Sequence, residues 1–178
     1  MSARKMHDDE VDIDVALVRR LLTAQFPQWA GLPLDRVDSS GTANAVYRLG
    51  HDMAVRLPRH ESSVGQVEKE QRWLPRLGPH LPLAVPVPLA TGRPAEGYAW
   101  PWSVCRWLPG ENATRETLTD LREAATALAG FATALQQIEP ADGPSPGKHN
   151  FYRGVPLSFR AAYTEQSIAA SEGLIDTD

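Results

Sequence analysis

The stretch from Val37 to Pro58 constrains this chain more than any other. Two short apolar runs, Ala45 to Leu49 and Met53 to Leu57, flank Gly50-His51-Asp52. β-Forming residues on either side of a tight turn containing Gly and Asp specify an antiparallel hairpin. Ahead of the hairpin, Ser39-Ser40-Gly41-Thr42 makes a small-residue loop that follows a candidate strand, Leu34 to Asp38. A Ser/Gly cluster with one glycine marks an ordinary surface turn when nothing else accompanies it. Here something does. The second hairpin strand carries Arg56 in an apolar setting, where an unpaired charge is costly to bury.

A strand, a small loop, a strand, a turn and a strand bearing a basic residue is an arrangement that can cover the phosphates of a nucleotide. Arginine suits that task, because its planar fork can donate to two phosphate oxygens at once. The competing reading is a strand-edge arginine whose head reaches solvent. The hairpin is therefore read as part of a nucleotide-binding lobe.

Composition excludes several alternatives. At 178 residues the chain is long enough for one domain or slightly more. Hydrophobic residues at 42% and charged residues at 22% argue against global disorder. Lys and Arg total 18 against 22 Asp and Glu, and the net charge of −4 argues against a nucleic-acid or anionic-membrane surface. The single cysteine, Cys105, excludes an internal disulfide and suits a reducing compartment. No apolar run reaches the roughly 18 residues of a membrane span, and Met1 to Asp12 has no signal-peptide core. A cytoplasmic location is expected.

Along the chain, Met1 to Asp12 reads as a charged, disordered tail. Ile13, Leu17, Val18, Leu21 and Leu22 recur at helical spacing, which predicts an amphipathic helix over Asp14 to Gln25 with Pro27 beyond its end. After the hairpin, Ser63 and Gln66 have the spacing of a capping box, and a helix follows through Val67, Glu70, Trp73 and Leu74. Pro75 should kink or end it. Glu70 shares a face with Val67, Trp73 and Leu74, whereas Glu68 points elsewhere. The prolines between Leu81 and Ala90 leave room for an edge strand at Val87 to Thr91. A turn at Gly92-Arg-Pro94 and a strand at Trp100 to Leu108 come next, and Pro109-Gly110 breaks the chain like a hinge.

From Thr114 to Ile138, Leu118, Leu121, Ala125, Leu128, Phe131, Leu135 and Ile138 keep to one stripe. This reads as a core helix. Asp142 to Asn150 is a Gly/Pro loop, and Leu157 to Ser171 is a weakly amphipathic helix. The tryptophans read as packing residues and Cys105 as a small buried hydrophobe. The five histidines, His7, His51, His60, His80 and His149, show no metal-ligand spacing.

Four segments together resemble the aminoglycoside phosphotransferase family. They are Gly41-Thr-Ala-Asn-Ala-Val-Tyr-Arg-Leu49, Ala54-Val-Arg-Leu-Pro-Arg59, Glu70-Gln-Arg-Trp-Leu74, and Trp100-Pro-Trp-Ser-Val-Cys-Arg-Trp-Leu-Pro-Gly-Glu111. His149-Asn-Phe-Tyr-Arg-Gly154 is similar to a stretch found in one bacterial branch of it. The resemblance covers about residue 15 to the C-terminus and implies an α+β, protein-kinase-like fold. Residues 13–108 would be the N-terminal nucleotide-binding lobe, an antiparallel sheet of about five strands with a helix. Residues 109–178 would be the hinge and the first helices of the C-terminal lobe.

The resemblance also implies roles. Ser39, Ser40, Gly41, Thr42 and Asn44 would cover the phosphates of ATP or GTP. Arg56 would contact the α- and β-phosphates, where many relatives have lysine, and Glu70 would hold it from the helix. Cys105 to Leu108 would be the adenine hinge, with backbone groups of Arg106 and Leu108 facing the base. In the family the acceptor is a small hydroxylated molecule such as an aminoglycoside, hence a link to antibiotic resistance.

Family members also carry a His-Gly-Asp catalytic loop with a following Asn, and an Ile-Asp-Phe-Gly-like metal motif. Neither occurs in this sequence. His149-Asn150 is followed by Phe and Tyr, and Leu174-Ile-Asp-Thr-Asp178 lacks the Phe-Gly. No catalytic residue and no ligand for the family's magnesium can be assigned, and the chain reads as a truncated member. Two functions remain open at this stage. One is the nucleotide-binding portion of a kinase, inactive as the isolated chain. The other is a non-catalytic interaction module, or a gene fragment, which could self-associate through an uncovered apolar face.

Overall fold

A computed structural model of the chain describes residues 10–38, 43–111, 113–114, 117–140, 143–150 and 152–172. They divide into two compact units at Glu139/Pro140. The first contains helix α1 (Val15–Gln25), strands β1 (Leu34–Arg36), β2 (Asn44–Leu49) and β3 (Met53–Pro58), helix α2 (Val64–Leu77), strands β4 (Pro88–Gly92) and β5 (Trp102–Arg106), and helix α3 (Leu121–Gln136). The five strands make one antiparallel sheet in the order β1-β2-β3-β5-β4. The α+β class and the five-stranded sheet are as expected.

The hairpin sets the register. β2 and β3 pair without interruption from Asn44↔Pro58 to Leu49↔Met53. Gly50 turns the chain at φ 62°, a backbone conformation that residues with a Cβ rarely adopt. Because side chains alternate across a strand, that register gives the sheet two unlike faces.

One face carries Tyr47, Leu49, Val55, Leu57, Trp102 and Val104, all fully buried. α1 lays Leu17, Val18, Leu21 and Leu22 over this face to complete the core. Burying each such side chain is worth about 1.5–3 kcal/mol. Asp14 starts α1 by accepting the Leu17 N–H at 2.7 Å, which satisfies one of the orphan donors at the helix end. The opposite face carries Val46, Ala54, Arg56, Ser103 and Cys105, a smaller and more polar set. α2 packs beside it against β4 and β5.

Several local expectations are corrected. Ser63 makes no side-chain cap on α2. A 3₁₀ turn over Glu61–Ser63 leads into the helix instead, and the His60 ring accepts the Ser62 N–H there. Pro75 does not end α2, which continues to Leu77. Proline removes one donor in the last turn, while Gly78 N–H still reaches the Leu74 carbonyl beyond it. Gly92 lies in β4 rather than in a turn. The reversal comes at Ala95–Tyr98, where Glu96 (φ 53°) and Gly97 (φ 83°) adopt left-handed conformations and Ala95 and Tyr98 exchange hydrogen bonds at 3.0 and 2.8 Å.

The largest correction concerns α3. The expected core helix begins at Leu121, not near Thr114, and none of its residues is buried. Thr114 and Thr117 bond to each other through hydroxyl and backbone groups, a local turn that competes with helix. Asp120 then caps the helix, accepting from Arg122 N–H at 2.8 Å and Glu123 N–H at 3.0 Å.

The second unit, from Pro140, contains single 3₁₀ turns at Lys148–Asn150 and Leu157–Arg160 and then helix α4 (Ala161–Ser171). Tyr152 and Phe159 pack ring against ring at 5.2 Å. Its helix lies within the expected Leu157 to Ser171 segment, although that segment opens with the 3₁₀ turn. No helix among the described residues is long and apolar enough to cross a membrane.

Candidate functional site

The polar face of the sheet converges on Arg56. It sits near the open end of β3, opposite Val46 on β2 and Ser103 on β5. Its guanidinium donates to the Glu70 carboxylate of α2 at 2.5 Å. The two side chains are 25% and 28% exposed, so the pair is shielded yet open on one side. Helical spacing explains the reach of Glu70: Val67, one turn earlier, is the buried residue of α2 and fixes the helix against the sheet. Glu68 is exposed, as its different angular position requires.

Beneath this pair lie small, buried residues. Ala54, Ser103 and Cys105 are 4–6% exposed and share its face of the sheet. Burial pushes the Cys105 thiol up, with the Arg56 charge opposing and Glu70 adding to the rise. Cys105 is thus a packed, protonated thiol, in line with its expected role as a small hydrophobe. Small side chains beside a partly shielded basic group thus make up this part of the polar face.

The strand exit is also defined. Arg106 N–H is committed to the Val87 carbonyl at 2.8 Å, and Trp107 N–H donates to Asp52 O at 2.7 Å. Leu108 makes no backbone hydrogen bond among the described residues. Of the two expected hinge residues, Leu108 thus has neither backbone group bonded among the described residues, whereas the Arg106 N–H is occupied. Arg48 stacks on Trp107 at 5.0 Å from the ring centroid and ties the hairpin to this exit.

Asn44 opens β2, opposite Pro58 and half-buried, on the same face as Arg56. Ser39, Ser40, Gly41 and Thr42 lie outside the described residues. So do the Ile-Asp residues of the C-terminal segment. Among the described residues no group of three or more His, Cys, Asp or Glu side chains is placed to hold a metal ion.

Sequence reasoning missed one feature at this end of the sheet. Arg59, just beyond β3, pairs with Glu10 at 2.5 Å in a nearly sealed environment. Only the charge of both residues hinted at it, and contacts so distant in sequence have no local signature.

A family profile described as "Phosphotransferase enzyme family" matches residues 36–176. Among solved structures, the GDP complex of wild-type aminoglycoside 2'-phosphotransferase-IIIa is similar with a TM-score of 0.69 and 18% identity, covering 92% of this chain and 55% of that one. The GDP and kanamycin complex of APH(2")-IIia has a TM-score of 0.66 at 19% identity, covering 89% and 53%. The streptomycin-ATP-APH(2")-IIa ternary complex has a TM-score of 0.54 at 17% identity, covering 93% and 54%. The chain spans about half the length of these proteins. No curated protein gives a significant match.

Proposed function

Because the chain belongs to the phosphotransferase enzyme family, we propose that its sheet-bearing unit holds a purine nucleotide, ATP or GTP, as the nucleotide-binding portion of a small-molecule kinase. The observation that carries this reading is the Arg56–Glu70 pair at 2.5 Å, facing out from a floor of small residues. In phosphoryl transfer a protein chiefly positions groups and neutralises charge, and a basic clamp held by a helix carboxylate does both. The GDP and ATP named for the similar structures support the ligand class.

In this reading residues 13–108 form the nucleotide lobe and 109–178 the hinge and opening helices of a second lobe. Ser39, Ser40, Gly41, Thr42 and Asn44 cover the phosphates, Arg56 contacts the α- and β-phosphates, and Glu70 orients it. The Leu108 backbone groups and the Arg106 carbonyl face the base. The sequence contains no His-Gly-Asp loop and no Phe-Gly metal motif, so this chain alone transfers no phosphate. An acceptor such as an aminoglycoside would require the complementary lobe, as would magnesium. A cytoplasmic site of action fits the single buried cysteine.

The test is a melting curve with added ATP or GTP. Nucleotide-specific stabilisation that Arg56→Met abolishes is the expected result. A flat response with both nucleotides would remove the binding claim. Turnover of ATP with magnesium and aminoglycosides above buffer would overturn the claim of inactivity.

A second reading is favoured by α3, where Leu121, Leu128 and Leu135 are 58%, 64% and 41% exposed. An apolar stripe of this kind suits a non-catalytic module that associates with itself or a partner. Concentration-dependent association without any nucleotide response would favour it.

A further inference from the structure

The Glu10–Arg59 pair is buried more deeply than any function described so far requires. Its side chains are 1% and 11% exposed, with 2.5 Å between charged atoms. Burying two charges costs nearly as much as their attraction returns, so such a pair is better suited to fixing a geometry than to adding stability.

The geometry it fixes is local. Arg59 follows Pro58, the residue of β3 that lies opposite Asn44. Its N–H donates to the Ala43 carbonyl at 3.0 Å, and its carbonyl accepts the Val11 N–H at 2.9 Å. One residue thus ties the N-terminal segment, the start of β2 and the end of β3 together. Tyr47 O–H adds a further tie, donating to the Ile13 carbonyl at 2.7 Å. Asn44 is the next residue after Ala43, and Arg56 lies in β3 three residues before Arg59, which directly follows that strand.

We propose that Glu10 and Arg59 are positioning residues, a clasp by which the N-terminal segment holds the open end of the β2–β3 hairpin so that Asn44 and Arg56 meet the nucleotide phosphates. This rests on the reading of the site as a nucleotide site. The clasp touches no ligand. It acts through the two backbone bonds of Arg59, and displacement of a strand end relative to bound phosphates is enough to weaken affinity.

The test uses the full chain with Glu10→Gln, Arg59→Met and the double variant, and Leu22→Ala as a control that loosens the core elsewhere. ATP and GTP affinities are measured by calorimetry well below the melting temperature, and amide exchange is followed at Val11 and Arg59. Each single variant is expected to lose about five- to tenfold in affinity. The double variant should lose no more than either single one, because both cut the same clasp. Exchange at the Val11 and Arg59 amides should quicken selectively, and Leu22→Ala should keep its affinity.

Unchanged affinity in both single variants, additive losses, or losses that follow melting temperature across all four proteins would overturn the proposal. Should the wild-type chain bind neither nucleotide, the reading of the site fails separately. Exchange then decides on the clasp: selective quickening upholds it as the device that orders this strand end, and unchanged exchange overturns it.

Discussion

Arg56 on the central strand and Glu70 on α2 approach to 2.5 Å, and this one contact joins the sheet to the helix across the polar face. Each partner keeps about a quarter of its side-chain surface exposed, so solvent screening limits what the pair adds to stability. Glu70→Gln should therefore cost only about 1 kcal/mol in a denaturant titration. Its effect on nucleotide affinity should be larger, about tenfold, since an unheld guanidinium has to be reoriented for each binding event. Arg56→Lys should keep part of the affinity, because an ammonium retains the charge but loses the bidentate fork. If Glu70→Gln binds ATP as the wild type does, Glu70 does not orient Arg56 for the ligand.

Gly92 is required by its neighbour. A Cβ at this position would lie 1.9 Å from Cε2 of Trp102 and 2.2 Å from its indole nitrogen. Trp102 is fully buried, packs edge-on against Phe26 at 5.4 Å and cannot yield. Gly92→Ala should cost at least about 3 kcal/mol, at the upper end of overpacking effects. Thermal melting of the two proteins checks this, and a loss below about 1 kcal/mol would mean that β4 can slide away from Trp102.

Alkaline pH should unfold the protein through its buried acids. Burial raises the Tyr47 and Tyr98 phenols above their ordinary 10.0 and the Cys105 thiol above its ordinary 9.0. All three are neutral when protonated, so folding favours the protonated form. Their contribution is complete below the unfolded-state values and is lost as pH rises past them. Melting temperature should hold up to about pH 8.5 and fall progressively above about pH 9. Tyr98 O–H donates to the Pro58 carbonyl at 2.8 Å, so Tyr98→Phe should lower stability at neutral pH yet flatten this alkaline fall. An equally steep fall in Tyr98→Phe would assign the effect to other groups.

The parts of the fold that could be read from the residues were those set by near neighbours. Alternation around Gly50 fixed the hairpin faces, helical spacing in α1 matched its buried stripe, and spacing in α2 put Glu70 on the face of Val67, while its pairing with Arg56 came only from the family resemblance. What could not be read depended on distant partners or competing local bonds. Gly92 looked like a turn glycine because the indole that needs its missing Cβ comes ten residues later along the chain. Ser63 looked like a cap, but His60 had already closed the preceding turn. The Arg59–Glu10 pair joins residues far apart in sequence, and Arg59 alone resembles any surface arginine.

The stripe on α3 separates sequence pattern from packing most clearly. Leu121, Leu128 and Leu135 recur every seven residues, close to two helical turns, so they line one side of the helix. That periodicity indicates a face meant to be covered, yet all three leucines are exposed in this chain. A residue that contacts little of its own chain contributes little to that chain's stability, so Leu128→Lys should change unfolding free energy by less than about 0.5 kcal/mol. The same substitution puts a charge in the middle of the stripe and should suppress concentration-dependent association. Sedimentation velocity over a range of protein concentrations, alongside denaturant titration, measures both quantities. A large loss of stability would place Leu128 in this chain's own core, and unaltered association would remove α3 as the associating surface.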